Sequence, residues 1–541
     1  MKNRIKSYVV VLVICVSLLF SETAVYGSTT YATTLLDEAK NILDLYYVDY
    51  LNARARQART MEELLSAIGD PYTTYMSPEA FQEFIEEVDN KFSGIGVTVE
   101  QARDGVLILS VIKGSGAEKA GLKPGDIILE ADGHILKGID LTEAVTYIKG
   151  EEGNYVNLKI KRGELQFEVR VQRSLLELPT VEAELLEGNI AYIRIYSFGT
   201  DTDEELKKYL KELESKNPKG YIIDIRGNGG GYVDTALEIA GYFIGENVAM
   251  LASSKWGTDQ YTALKDDLLI DRPVLLLVDM YSASASEILA GALQDYNKAI
   301  LVGTPTYGKG SMQAFFPLSN EGLLKVTTNY IYTPTGRSIN NVGLQPDINI
   351  KEEGNPYYAA ILLLYGDAEN KESKEEYIAI DINGKLYDIQ LKQARQDEYW
   401  ESYETLIKDA LLKGRNIFIG TSEGWIEFDR QSDIHRYYFP DFEELPWLID
   451  IEPDKVFSIE FSKPVNIDTL NNRIYLIDSG TGERINCEIV GTDSSGRILK
   501  ATASQLLERG KKYYLVMDKG IQALDGGQLR QGVLCGVSVR N

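Results

Sequence analysis

Three serines and one lysine carry the chemistry that this sequence could perform. Ser282, Ser284 and Ser286 alternate with alanines after the apolar run 274–278, and apolar residues at helical spacing follow them. The pattern predicts a buried strand, a turn and a helix, so the serines lie where unpaired N–H groups of a helix start can face a developing anion. Lys309 follows a second apolar run, in a glycine-rich loop. The sequence therefore predicts a serine nucleophile and a lysine on neighbouring loops of one sheet edge.

The ordinary alternative is that the serines cap a helix and that Lys309 is a solvated loop residue. Serine is common at a helix N-cap, so an arbitrary serine in this position needs no further explanation. Three serines alternating with two alanines exceed what a cap requires, and alanine beside a nucleophile leaves room for substrate and frees a backbone N–H. We therefore favour the catalytic interpretation.

The chain has only two histidines, His134 and His435, and neither lies near the serines in sequence. This argues against a Ser–His–Asp triad and against a histidine-rich zinc site. If the chain is a serine hydrolase, its base is another residue, and lysine is the obvious candidate. The predicted chemistry requires no metal and no other cofactor.

Bulk properties limit the classes of partner. A chain of 541 residues is expected to hold several domains. Its net charge is −25 and it has no Lys/Arg-rich block, which excludes nucleic acid as a partner because such binding needs clustered cations.

Of the three cysteines, Cys15 lies in the first 27 residues, whereas Cys487 and Cys535 lie near the C-terminus. Pairing of these last two and two separate buried thiols both stay open.

Residues 1–27 have the pattern of an export signal. Basic residues near the N-terminus precede the mostly apolar run 8–20, and the small residues Val25 and Gly27 suit cleavage before Ser28. The apolar run is shorter than the ~20 residues of a membrane-spanning helix, which favours cleavage over an uncleaved anchor. We expect an exported protein, either extracellular or associated with the cell envelope.

The segments SASASEILAGAL and VGTPTYGKGSMQ resemble the catalytic core of the carboxy-terminal processing peptidases, which are serine proteases with a Ser–Lys dyad. The resemblance extends over residues 42–347, more than half of the chain. It implies that Ser284 is the nucleophile, that Lys309 is the general base, and that Gln313 holds the lysine.

The same resemblance gives a role to the glycine-rich turn GNGGG. In the family this turn supplies one N–H group of the oxyanion hole, which maps to Gly230 with Gly231 as the near alternative, and Ala285 supplies the other. Glycine suits this role because the backbone must approach the reacting carbonyl closely. A phosphate-binding loop is the weaker interpretation, since the turn lacks the GKS/T ending.

Residues 92–174 resemble a bacterial PDZ domain, on the segments FSGIGVTVE and SVIKGSGAEKAGLKPGDIILEADG. The first segment predicts a turn whose backbone N–H groups hold a terminal carboxylate, followed by a strand that accepts an extended peptide as an added strand. Residues 141–148 are the predicted helix beside this groove. The predicted peptide-binding residues are Gly94, Ile95, Gly96 and Val97.

The fold class expected is multidomain, with α/β and all-β parts. Residues 446–541 resemble the Ig-like modules of bacterial surface proteins, because short strands alternate with turn signals. A polar, charged stretch, 366–376, is predicted to be a linker. In chain order the predicted units are a signal peptide (1–27), a helical N-terminal or dimerisation region (33–90), the PDZ domain (92–174), a crotonase-like α/β serine protease core (181–350), a small α+β domain without an assigned role (377–445) and an Ig-like β-sandwich (446–541).

Together these features predict a secreted serine endopeptidase that recognises the C-terminal tail of a polypeptide and cleaves it by acyl-enzyme chemistry. Its expected partners are polypeptides with free C-termini, a second copy through the N-terminal helices, and the cell envelope through the C-terminal domains. The alternative is a catalytically silent, secreted PDZ/Ig-like adaptor that binds protein C-termini. Silent copies usually lose the nucleophile or the base, and here Ser284, Lys309 and Gln313 are all present. A further alternative, an amidase with a Ser–Lys pair, is disfavoured by the PDZ groove.

Overall fold

The structure is a computed structural model, and it describes residues 34–428 and 435–541. The predicted export signal, 1–27, and Cys15 lie outside the described residues. Within the described ranges, every helix is too short or too polar to cross a membrane. The two cysteines that are described, Cys487 and Cys535, are both free thiols.

The N-terminal region is helical, as predicted, and it packs on the protease core. Its third and fourth helices begin at N-caps, Thr60 and Ser77, whose side chains accept from backbone N–H groups, and Pro78 follows the second cap. Apolar side chains of the first three helices share one cluster with core residues that include Leu318 and Leu324. The elements are α1 (Leu35–Tyr46), α2 (Ala53–Gln57), α3 (Met61–Ile68), β1 (Thr74–Met76) and α4 (Pro78–Val88).

The PDZ region is a sheet in the order β3-β4-β5-β7-β8, with β6 paired to β5. The first and last strands of the region, β2 and β9, pair with each other in antiparallel orientation. The helix predicted at 141–148 occurs at those bounds. The elements are β2 (Lys91–Gly94), β3 (Val97–Ala102), β4 (Gly105–Val111), α5 (Gly116–Lys119), β5 (Ile127–Ala131), β6 (His134–Ile135), α6 (Leu141–Ile148), β7 (Tyr155–Arg162), β8 (Leu165–Gln172) and β9 (Ser174–Glu177).

The protease core is built on a six-stranded sheet in the order β10-β11-β12-β15-β16-β19. The first pair is antiparallel and the remaining pairs are parallel. Helices α7, α8 and α9 cover one face with a wholly apolar cluster. The elements are β10 (Val181–Leu186), β11 (Ile190–Ile195), α7 (Thr202–Glu214), β12 (Tyr221–Asp224), α8 (Val233–Ile244), β13 (Val248–Ser254), β14 (Gly257–Thr262), β15 (Val274–Val278), α9 (Ala285–Asp295), β16 (Ala299–Gly303), β17 (Ser311–Pro317), β18 (Leu323–Tyr332) and β19 (Ile348–Asn349).

A second sheet of the core follows the order β1-β18-β13-β14, with β17 also paired to β18. Strand β1 comes from the N-terminal region, and its Thr74 lies opposite Lys325 of β18. The N-terminal segment is therefore hydrogen-bonded into the sheet that carries the loop of Lys309.

The C-terminal part packs against the protease sheet and shares a hydrophobic cluster with it. Its elements are α10 (Pro356–Tyr365), β20 (Tyr377–Ile382), β21 (Lys385–Gln390), α11 (Leu391–Ala394), α12 (Asp397–Leu412), β22 (Ile417–Thr421), β23 (Gly424–Glu427), α13 (His435–Tyr438), β24 (Glu443–Ile451), β25 (Val456–Glu460), β26 (Ile474–Asp478), β27 (Arg484–Thr492), β28 (Ile498–Ala503), β29 (Lys512–Met517) and β30 (Val533–Val539). Strands β20 to β23 form a four-stranded sheet, with a turn at Asn383 and Gly384 between β20 and β21. The last seven strands follow one path, β24-β30-β29-β26-β27-β28-β25, around their own apolar cluster.

One apolar cluster joins the second face of the protease sheet to both C-terminal domains. It contains Leu275 and Ile300 from the sheet, the buried face of α10, and Tyr475 and Tyr514 from the Ig-like domain. The stretch 366–376, predicted to be a linker, lies beside this shared core, with Gly366 packed against Asp388. The C-terminal domains are therefore packed on the protease and are not held at a distance by a tether.

Candidate active site

Ser284 lies at the turn between strand β15 and helix α9, as the sequence predicted. Strand β15 is buried along its whole length, and α9 begins at the next residue, Ala285. The backbone of Ser284 has φ 58° and ψ −116°, a conformation that non-glycine residues rarely adopt and that is often held in place at functional sites. The turn therefore holds Ser284 in a backbone conformation that capping a helix does not require.

The two neighbouring serines have structural partners. The Oγ of Ser282 donates to the Ile225 carbonyl at 2.8 Å, and the Oγ of Ser286 donates to the Asn228 carbonyl at 2.9 Å. Both are fully buried, whereas Ser284 is half-buried. Of the three serines in the motif, Ser284 is the one that substrate can reach.

The glycine-rich turn after β12 lies directly against Ser284. A Cβ placed on Gly230 would be 2.8 Å from the Ser284 Cβ and 2.9 Å from the Ala285 nitrogen, and Gly230 has φ +103°. Both facts require glycine at this position. The predicted oxyanion residues are thus adjacent in space.

Hydrogen bonding differs between the two glycines that the sequence left as alternatives. The Gly230 N–H donates to the Asn228 Oδ1 at 2.8 Å. Among the described residues, the N–H groups of Gly231 and Ala285 have no acceptor within hydrogen-bond distance. Which glycine donates to the oxyanion stays a prediction, with Gly230 expected first and Gly231 as the alternative.

Lys309 lies on the loop between β16 and β17, where its ammonium is largely removed from water. Burial lowers the pKa of Lys309 from its ordinary value, the positive charge of Lys325 lowers it further, and Glu287 opposes both effects. The Lys309 Nζ lies 5.1 Å from the centre of the Tyr72 ring. Burial therefore shifts the equilibrium of Lys309 towards the neutral amine, the form in which lysine can accept a proton, while Glu287 and the Tyr72 ring act in the opposite direction.

Glu287 connects the serine turn to the lysine loop. Its carboxylate is fully buried and accepts from the Ser284 N–H at 3.0 Å, the Lys309 N–H at 2.9 Å, the Gly308 N–H at 2.8 Å and the Thr306 hydroxyl at 2.6 Å. Burial raises the pKa of Glu287, and these hydrogen bonds oppose the rise. One side chain therefore fixes the backbone of both candidate catalytic residues.

Gln313 lies on β17, and its amide points towards neighbouring hydroxyl groups. The Nε2 is 2.9 Å from the Ser311 Oγ and 3.3 Å from the Thr327 Oγ1, beside an irregularity in the pairing of β17 with β18. These contacts keep Gln313 near the loop of Lys309. Its role in holding the lysine stays a prediction.

The four predicted peptide-binding residues form the turn between β2 and β3. The carbonyls of Ile95 and Gly96 accept from the N–H groups of Ala117 and Ile112, at 2.8 Å and 3.0 Å. Gly94 ends β2 and Val97 begins β3, which lies at one edge of the PDZ sheet. An edge strand has unpaired backbone groups, so β3 can accept an added strand.

Comparison with known proteins decides the family. Family models match residues 189–350 as peptidase family S41, residues 93–172 as a PDZ domain and residues 449–534 as a bacterial Ig-like domain. A carboxy-terminal-processing protease of Bartonella bacilliformis is 33% identical over 308 residues, covering 56% of this chain and 71% of the relative. The carboxy-terminal processing protease CtpB of Bacillus subtilis is 31% identical over 407 residues, covering 74% of this chain and 78% of the relative.

The chain belongs to the carboxy-terminal processing proteases of peptidase family S41. It is therefore a serine-type peptidase with a PDZ domain and a C-terminal Ig-like domain. This confirms the family resemblance and the multidomain fold class that the sequence predicted, and it favours the enzyme over the silent adaptor.

Sequence reasoning missed several residues of this peptidase site. Glu287 was unassigned beside the serines, Asn228 was an ordinary turn residue, and Tyr72 and Lys325 lay in segments without predicted chemistry. Their contacts join positions far apart in the chain, which periodicity does not reveal. The segment DPY around Tyr72 was the one local signal, because it interrupts a helical pattern.

Replacing Glu287 with glutamine tests the connection between the two loops of the peptidase. An amide has one acceptor oxygen, and its NH₂ group would face backbone donors. We expect kcat to fall about 10²-fold, since small misplacements of reacting groups have effects of this size. Stability is expected to fall by about 2 kcal/mol in urea unfolding.

The matched control is Glu212→Gln, at an exposed residue whose carboxylate forms an ion pair with Lys216. It should change neither kcat nor stability measurably. Full activity in Glu287→Gln would show that this carboxylate does not position the site.

Proposed function

We propose that this peptidase cleaves polypeptides with a Ser–Lys dyad and selects them by their C-terminal tails. The observation that carries the proposal is the buried Glu287 carboxylate, which holds the backbone N–H groups of both Ser284 and Lys309. The burial of the Lys309 amine and the backbone N–H groups beside Ser284 support the two other requirements of acyl transfer, a neutral base and an oxyanion hole.

The chemistry proceeds in two steps. The Ser284 Oγ attacks the scissile carbonyl while the Lys309 amine takes the hydroxyl proton, and the ammonium then gives that proton to the leaving amine. The carbonyl carbon stays bound to Ser284 as an ester. Lys309 next takes a proton from the water that attacks the ester, and gives it to the Ser284 Oγ as the C–Oγ bond breaks and the new C-terminus is released. The Ala285 N–H, with Gly231 or Gly230, holds the oxyanion, and losing one such donor typically reduces the rate by ~10²–10³.

The proposed mechanism sets the direction of the pH dependence. Lys309 accepts a proton only when it is neutral, so kcat/KM rises with pH as this group loses its proton. Burial lowers the pKa of Lys309, which moves the rise towards neutral pH compared with an exposed lysine.

The PDZ turn is proposed to bind the substrate's terminal carboxylate, while β3 pairs with the preceding residues. The test uses two fluorogenic peptides of one sequence, which end in a free carboxylate or in an amide. We expect the free acid to be cleaved with a kcat/KM about 10- to 100-fold higher, the effect of losing charge-assisted hydrogen bonds. Equal rates would contradict tail recognition and favour the amidase alternative.

Export, self-association and contact with the cell envelope belong to the same proposal. Export rests on the basic and apolar pattern of residues 1–27, and the N-terminal residue of the protein recovered outside the cytoplasm tests it. An intact Met1 on cytoplasmic protein would contradict it.

Light scattering tests the dimer proposed through the N-terminal helices, and a monomer at micromolar concentration would contradict it. Fractionation of cells with and without residues 446–541 tests the proposed envelope contact.

A further inference from the structure

Four large apolar side chains stand in solvent on neighbouring loops of the candidate active site. Each residue is between 58% and 61% exposed, and we call the group the apolar shelf: Met280, Tyr281, Tyr307 and Val342. Single exposed apolar residues are common on protein surfaces, whereas a group of them at the rim of a catalytic site indicates a place where a ligand packs.

The turn that carries Met280 and Tyr281 is held by Asp279. The Asp279 carboxylate accepts from the N–H groups of Tyr281 and Gly227, both at 3.0 Å. These bonds tie the turn to the glycine-rich turn, a few residues before Ser284. The backbone that presents the two side chains is therefore fixed in advance and needs little ordering when a ligand binds.

Hydrogen bonds bring the other two members of the shelf to the same place. The Tyr307 N–H donates to the Ser282 carbonyl at 3.1 Å, so the Tyr307 backbone lies within roughly 10 Å of Ser284 by chain geometry. The loop of Val342 is joined to the lysine loop, because the N–H of Asn341 donates at 2.8 Å to the carbonyl of the residue after Tyr307. The shelf therefore borders the loops of both candidate catalytic residues.

Tyr72 extends the shelf towards the Lys309 amine. The Lys309 Nζ lies 5.1 Å from the centre of the Tyr72 ring, and the Tyr72 hydroxyl interacts with that of Tyr307. In the proposed mechanism Lys309 gives a proton to the leaving amine, so that nitrogen comes within hydrogen-bond distance of the Nζ. The substrate residue that follows the cleaved bond therefore enters on the side of Tyr72 and Tyr307.

We propose that the apolar shelf is a specificity subsite for the substrate residue directly after the cleaved bond, and that it takes an apolar side chain there. The inference rests on the proposed Ser–Lys dyad, because proton transfer from Lys309 sets the direction of the bound chain. Packing of an apolar side chain on the shelf removes surface of both partners from water, which stabilises the complex. Since this residue carries the leaving amine, the same contacts hold that amine beside Lys309.

The test starts with a digest of unfolded casein by the full-length protein, in which mass spectrometry of the fragments locates the cleaved bonds. Two internally quenched peptides are then made from one cleaved sequence, with leucine or serine as the residue directly after the bond. The quantity measured is the kcat/KM of the leucine peptide divided by that of the serine peptide. It is compared between wild type, Tyr307→Ala, Tyr307→Phe and a control, Tyr296→Ala.

In the wild type we expect a ratio of about 10, the effect of partly burying one apolar side chain. Tyr307→Ala should lower the ratio towards unity, because the ring that packs on leucine is lost. Tyr307→Phe should keep the ratio, since the ring and not the hydroxyl makes this contact. The control Tyr296 is an exposed tyrosine just after the far end of α9, and its replacement should leave the ratio unchanged.

A wild-type ratio near unity would overturn the inference, and so would an unchanged ratio in Tyr307→Ala that circular dichroism shows to be folded. Tyr281→Ala gives the same test at a second member of the shelf if Tyr307→Ala does not fold. A preference for apolar residues only before the cleaved bond would also overturn it. Failure of the dyad gives a different result, because Lys309→Met would then still cleave both peptides, whatever their ratio.

Discussion

Replacing Ser284 with alanine is expected to reduce casein cleavage by at least about 10⁴-fold, the size of effect seen when a serine protease loses its nucleophile. The change removes the only atom that can form the ester, whereas the backbone of the turn keeps its hydrogen bonds to Glu287. The variant should therefore stay folded and still bind peptide tails. Release of fluorescent fragments measures the rate, and fluorescence anisotropy of a labelled peptide measures binding.

The matched control for this variant is Ser402→Ala. Ser402 is a buried serine of α12, and its Oγ donates to the Asn355 carbonyl at 3.1 Å, far from the site in the fold. Its loss is expected to reduce stability by about 1 kcal/mol and to leave cleavage unchanged. Equal cleavage by wild type and Ser284→Ala would exclude Ser284 as the nucleophile.

Replacing Lys309 with methionine should reduce the rate by about 10³- to 10⁴-fold, the upper part of the range for loss of a general base. Methionine fills a similar volume beside Tyr72 but cannot take a proton. Lys309→Arg is the more discriminating variant, because arginine keeps a positive charge and stays protonated in proteins. Both variants should be equally inactive if neutral lysine is the base.

The control for these variants is Lys265→Met, at a lysine whose side chain is 79% exposed. A surface change of this kind should alter neither activity nor stability measurably. Recovery of activity in Lys309→Arg would show that the site needs a cation at this position, and the proposed proton transfer would fail.

Local patterns were sufficient to predict the elements that present the candidate dyad. The continuous apolar run and the alternating serines predicted the strand–turn–helix around Ser284, and Ser77 followed by Pro78 is a typical local signal for the start of α4. In each case neighbouring residues determine the structure, through burial along one strand or through capping at one helix end.

The surroundings of Lys309 could not be predicted in the same way. Tyr72 contacts Lys309 from the turn before β1, and β1 of the N-terminal region pairs with β18. Such a pairing is set by the tertiary fold, and a single sequence contains no local sign of it. Three of the four hydrogen bonds of Glu287 have the same origin, since its partners in the lysine loop lie about twenty residues away.

The C-terminal domains show a second limit of pattern reasoning. The charged stretch 366–376 has the composition of a linker, yet Leu275, Ile300 and Tyr514 belong to one apolar cluster across the protease and the Ig-like domain. Composition describes the solvent-facing side of this stretch and does not reveal what packs beside it.

The most direct test of the Ser–Lys dyad is the rate at which a fluorophosphonate, a small serine-directed probe, labels Ser284 as a function of pH. The probe needs only the nucleophile and its base, so tail binding does not enter the measurement. The proposed dyad predicts a rate that rises with pH through a single ionisation below the usual range of lysine, and almost no labelling in Lys309→Met. Labelling that is independent of pH, or that proceeds equally fast in Lys309→Met, would contradict it.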